Sequence, residues 1–123
     1  MKKLISIAAL FASAVAYSHS DVALKPEHGG TIKEAAAGHQ LEIAYSANAL
    51  TLYVKDHDSN QLSSEGAAAE LIVQHNNATT RVQLKPSGSN ALSIKGNFAN
   101  LAGAVIIVKY TLKGEKLEHA RLT

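Results

Sequence analysis

From His39 onward, apolar residues recur at every second position. His39, Leu41, Ile43 and Tyr45 fall on one face of an extended segment, with Gln40 and Glu42 on the other. Leu50, Leu52 and Val54 alternate with Thr51, Tyr53 and Lys55, and Val82 and Leu84 with Arg81, Gln83 and Lys85. Leu92, Ile94 and Phe98 keep the same rhythm against Ser93, Lys95 and Asn97. A period of two marks strands that set one face against a core. Between Gly66 and His75 an alanine-rich start competes with the run Leu71-Ile72-Val73, whose β-branched residues and Asn76-Asn77 ending favour a strand. Ala104 to Val108 is apolar at every position and reads as a central strand covered on both sides. Asp56-His57-Asp58-Ser59-Asn60, Pro86-Ser87-Gly88-Ser89-Asn90 and Lys113-Gly114-Glu115 supply the turns.

This pattern predicts an all-β domain, an antiparallel immunoglobulin-like β-sandwich of seven to eight short strands. A small barrel is the alternative closure. The residues expected in the core are Leu52, Val54, Leu71, Val73, Leu84, Ile94, Val105 and Ile107.

The N-terminal residues follow a different pattern. Lys2 and Lys3 precede an apolar run from Leu4 to Val15, and Ala14-Val15-Ala16 is a small-residue cleavage pattern. That is the form of a bacterial-type secretory signal peptide over 1–16. The apolar run falls short of the roughly 20 residues a spanning helix needs, and no cysteine follows it to carry a lipid. The expectation is a periplasmic protein without membrane insertion, its signal cleaved. An extended lead-in over 17–30 then precedes a single domain over 31–123.

Removal of Lys2 and Lys3 leaves ten basic residues against ten acidic ones. The mature chain is thus formally neutral and has no basic stripe for nucleic acid. There is no cysteine, and the one methionine is Met1. Soft Cu(I) sites use thiolate or thioether ligands, so imidazole, carboxylate, amide and amine groups are the metal ligands left. No G-x-S-x-G, H-E-x-x-H or phosphate-cradling glycine loop is present, and the chain does not read as an enzyme or as the host of an organic cofactor. Asn77-Ala78-Thr79 matches a glycosylation sequon and reads as a turn.

The six histidines are the remaining chemistry: His19, His28, His39, His57, His75 and His119. They are scattered, with no H-x-H or H-x3-H pair. His28 stands in Glu27-His28-Gly29-Gly30, where two glycines permit a sharp turn and a close backbone approach. His39 leads the apolar face of its strand. His57 lies between two carboxylates in Asp56-His57-Asp58, which suits a hard or borderline cation and serves equally well as a turn. His75 and His119 lie near strand ends. Cleavage after Ala16 would leave Tyr17-Ser18-His19, whose amine, two amides and imidazole match the square-planar preference of Cu(II) and Ni(II). The candidate metal ligands are His19, His28, His39 and His57, and the candidate ions are Cu(II), Zn(II) and Ni(II).

The order of several segments resembles a family of small periplasmic β-sandwich proteins found beside, or fused to, membrane-fusion subunits of heavy-metal efflux systems of the resistance-nodulation-division type. The matching residues are His28-Gly29-Gly30, His39-Gln40-Leu41-Glu42, Leu50-Thr51-Leu52-Tyr53-Val54 with Asp56-His57-Asp58, Leu84-Lys85-Pro86, Gly96-Asn97-Phe98 and Glu118-His119-Ala120-Arg121. They span most of the mature chain, and the last departs from the pattern at His119. The resemblance implies a periplasmic accessory to metal tolerance that buffers a divalent cation or delivers it to an efflux adaptor protein. The different-class alternative is a metal-free interaction module that docks on an envelope or efflux partner through a sheet edge.

Overall fold

The structure, a computed structural model, describes residues 24–123. The signal segment, the first part of the lead-in and the Tyr17-Ser18-His19 motif lie outside the described residues. Eight strands follow in chain order: β1 (Thr31–Glu34), β2 (Gln40–Tyr45), β3 (Ala49–Lys55), β4 (Ala68–His75), β5 (Ala78–Pro86), β6 (Ala91–Lys95), β7 (Val105–Thr111) and β8 (Glu118–Leu122). No helix occurs among the described residues, and so none is long and apolar enough to cross a membrane.

All pairings are antiparallel, in the order β1-β2-β3-β6-β5-β4-β7-β8. The all-β antiparallel expectation holds. The sheet is continuous, however, because β5 pairs with β4 along most of its length and its last two residues, Lys85 and Pro86, cross to β6. It curls until β1 approaches β8, where Lys33 Nζ donates to the Arg121 carbonyl at 2.7 Å. The result is a nearly closed, barrel-like form rather than two separate sheets.

The inward row of each strand fills the interior. Leu41, Ile43, Leu50, Leu52, Val54, Leu71, Leu92, Val108 and Tyr110 are fully buried. Each such large apolar side chain contributes about 1.5–3 kcal/mol by leaving water. Five of the expected core residues, Leu52, Val54, Leu71, Val73 and Leu84, are buried. Ile94 is half-buried against the core. Val105 and Ile107 are corrections. On β7 it is Ile106, Val108 and Tyr110 that face inward, so Val105 and Ile107 lie half-exposed on the outer surface. An unbroken apolar run has no alternation to reveal its phase, and this strand is covered on one side only.

The tight turn joining β4 to β5 places Asn76 and Asn77 at φ 52° and 64°. Two successive positive-φ residues are what a type I′ hairpin requires, and asparagine tolerates them. The sequon asparagine is therefore a turn residue.

Candidate functional site on the outer face of the first three strands

Leu41 and Ile43 point into the core, so their neighbours Gln40 and Glu42 point outward. The strand register builds two outward rungs: Ile32, Glu42 and Tyr53 in one, and Glu34, Gln40 and Lys55 in the next. Gln40 and Glu42 are nevertheless buried, at 5% and 4% exposure. The segment around Glu27–Gly30 and the turn at His57–Ser59 lie across them and are hydrogen-bonded to them.

Glu42 organises the first rung. Its carboxylate accepts the backbone N–H groups of Glu27 (3.0 Å), His28 (2.8 Å) and Gly30 (2.9 Å). Burial alone would raise its pKa, but the amides of Gly30, Glu27 and His28, joined by the His28 side chain, outweigh burial and hold it below the ordinary glutamate value. Gly30 is required by contact: a Cβ there would sit 2.1 Å from the Ile43 carbonyl oxygen. Gly29 takes φ +72° and makes the sharp turn.

This loop presents His28. Nδ1 of His28 lies 3.2 Å from Glu42 Oε1, and the ring lies on Tyr53 with centroids 3.5 Å apart. An ionised carboxylate only accepts, so Nδ1 carries the proton and the neutral ring keeps its lone pair on Nε2. Nε2 has no hydrogen-bond partner among the described residues. Beside this group Lys55 pairs with Glu27 at 2.5 Å.

In the second rung, His57 Nδ1 is paired with Glu34. That hydrogen bond and the Glu34 charge raise the His57 pKa, with smaller contributions from Asp58 and Asp56. The two flanking aspartates do not clasp His57 as a pair. Asp56 instead accepts the Asp58 and Asn60 amides at 2.8 and 2.9 Å, which is turn chemistry. Gln40 Nε2 donates to the His57 carbonyl and to Ser59 Oγ, both at 3.1 Å, and ties the turn to the sheet.

His39 lies apart from these residues. Its Nδ1 is 2.7 Å from the hydroxyl of Tyr110, a core residue, and its Nε2 is 3.6 Å from Glu115. It faces the interior side of the sheet, as its place at the head of the Leu41 row predicts. His28 and His57 therefore share the outer face, and His39 does not join them. His75 is half-buried at the end of β4, and His119 is exposed on β8 opposite Lys109. Among the described residues no three histidine, aspartate or glutamate side chains converge as a metal-binding group.

The sequence reading did not single out Glu42, Tyr53 or Glu34. The available signal was Glu42 itself, an outward carboxylate on a strand that follows a glycine pair able to offer several backbone N–H groups at once. Comparison with protein-family models, curated proteins and solved structures gives no match.

Proposed function

We propose that this chain is a periplasmic accessory to metal tolerance that handles a divalent cation, Cu(II), Zn(II) or Ni(II), through His28. The supporting observation is the Nδ1 contact of His28 with the buried Glu42 carboxylate. Metal-bound histidines generally donate their other ring N–H to a carboxylate or carbonyl, which fixes the tautomer and raises ligand basicity. His28 has this arrangement before any ion arrives, and its stacking on Tyr53 holds the ring in place.

One prepared imidazole suits transfer better than storage. A cation bound through Nε2, at the roughly 2.0–2.1 Å of a metal–nitrogen bond, keeps its remaining positions for water or for ligands from an efflux adaptor.

The alternative is a metal-free module that docks on an envelope partner. Zinc titration followed by NMR separates the two readings. The metal reading expects the His28 ring signals to shift saturably, and His28→Ala to remove that binding. His19→Ala serves as the background so that the N-terminal motif does not compete. No saturable zinc binding leaves the metal-free module, and zinc uptake indifferent to His28→Ala overturns the assignment to His28.

A further inference from the structure

The barrel end opposite the β7–β8 hairpin carries a second feature, independent of His28. A cavity of about 310 Å³ opens where the tip of the β4–β5 hairpin meets the loop after β6. Val73, Phe98 and Leu101 form its apolar wall, and His75, Thr80 and Asn97 supply its polar groups. Mouths of β-barrels are favoured ligand sites, and pockets of roughly 300–1,000 Å³ with a few convergent polar groups are their usual form. At the lower end of that range the space suits a body about the size of one ring.

Three observations give the cavity its chemistry. His75 follows Val73 on the inward row of β4, and its imidazole has no hydrogen-bond partner among the described residues. Asn97 Oδ1 accepts the Ala99 amide at 3.1 Å, which leaves its Nδ2 as the donating end. Among the described residues no carboxylate, lysine or arginine lines the space, and His75 is the one titratable group there. The lining thus offers donors without a competing negative charge.

The wall is also preformed. The Phe98 amide donates to the Ser46 carbonyl at 2.8 Å, and the Gly96 amide to that of Asn48 at 2.9 Å. The Phe98 ring lies so close over Gly96 that a Cβ there would come to 2.9 Å from it. A ligand would find the aromatic surface already in position.

We propose that this cavity binds a small monocyclic aromatic acid. The ring lies against Phe98, Val73 and Leu101, and the carboxylate meets His75, Thr80 and Asn97. The site makes no use of the outer-face histidines, so it stands or falls apart from the metal reading.

The test is an amide NMR titration of the full exported chain with sodium benzoate, with toluene and acetate as the ring and the head group alone. Benzoate should shift the Val73, His75, Ala78 and Phe98 amides saturably, more tightly than toluene, while acetate leaves them in place. His75→Phe should weaken benzoate about tenfold by removing a charge-assisted hydrogen bond. Ala78→Phe, which fills the cavity from the hairpin side, should abolish binding without removing a polar group. Well-dispersed spectra establish that each variant is folded, and if one is not, the other decides. Lack of saturable shifts at these amides overturns the proposal. So does benzoate binding unchanged by the folded variants, or shifts that acetate alone reproduces.

Discussion

His28 lies flat on Tyr53, the ring planes 2° from parallel and the centroids 3.5 Å apart. The stack joins the lead-in to β3, while Glu42 on β2 holds the same imidazole through its edge. Two constraints at right angles leave the ring little freedom. Tyr53→Phe should keep the stack and the stability. Tyr53→Ala should cost about 0.5–1.5 kcal/mol beyond the lost area. It should also move the His28 ring resonances toward those of an exposed histidine, which a side-chain NMR spectrum checks.

Glu42 is the larger determinant. Glu42→Gln keeps one acceptor oxygen and turns the other end into a donor facing backbone N–H groups. Unfolding in urea at neutral pH should show a loss of about 1–3 kcal/mol. The pH dependence has a definite sign. A carboxylate held below its ordinary value contributes stability above that value, about 4.5, and loses it as pH falls through the folded-state value. The wild-type chain should therefore weaken below about pH 4.5, and Glu42→Gln should flatten that acid limb. An unchanged limb would mean that Glu42 is not the anchor.

The two glycines of the loop should separate cleanly. Gly29 is left-handed with open space around its Cα, so Gly29→Ala should cost about 1–2 kcal/mol for backbone strain alone. Gly30→Ala meets the Ile43 carbonyl carbon and oxygen, which belong to a paired strand and cannot yield cheaply. It should cost more than Gly29→Ala and also displace the three amides from Glu42. Equal losses in thermal unfolding would contradict this assignment.

Period-two alternation located most of the strands, because a strand with one wet face reports its phase at every residue. It misplaced Val105 and Ile107, where apolar residues on both faces erase that report. β1 escaped notice because a four-residue edge strand, Thr-Ile-Lys-Glu, is too short for a pattern. His28 and His57 were legible as candidates from their turn residues. Their partners were not, since Glu42 and Glu34 lie 14 and 23 positions away and come into contact only when β1, β2 and β3 pair.

His57 should titrate above the ordinary histidine range. The hydrogen bond and charge of Glu34 are the main cause, so Glu34→Gln should lower the value, though the Asp58 and Asp56 charges keep part of the rise. A raised value stabilises the folded chain fully below the ordinary histidine pKa, and that contribution is lost as pH rises through the folded-state value. A pH series of His57 ring resonances in both proteins measures this directly. Coincident titration curves would remove Glu34 as the cause.

Tyr110 offers the corresponding test at the other end of the pH scale. Burial, aided by the negative charges of Glu118 and Glu115, pushes its hydroxyl up to about 12. In the unfolded chain it ionises near 10. Stability held below about pH 10 should fall as pH rises between the two values, by about 2–3 kcal/mol from this group. Tyr110→Phe removes the ionisation and should shrink the alkaline loss. It also strips His39 Nδ1 of its 2.7 Å partner, so at neutral pH the variant should be weaker by about 1 kcal/mol. The two curves should therefore converge as pH rises, and they cross where the alkaline loss exceeds the worth of the His39 bond. Urea unfolding at pH 7 and pH 11 on both proteins checks this, and parallel curves would show that the Tyr110 hydroxyl is open to water.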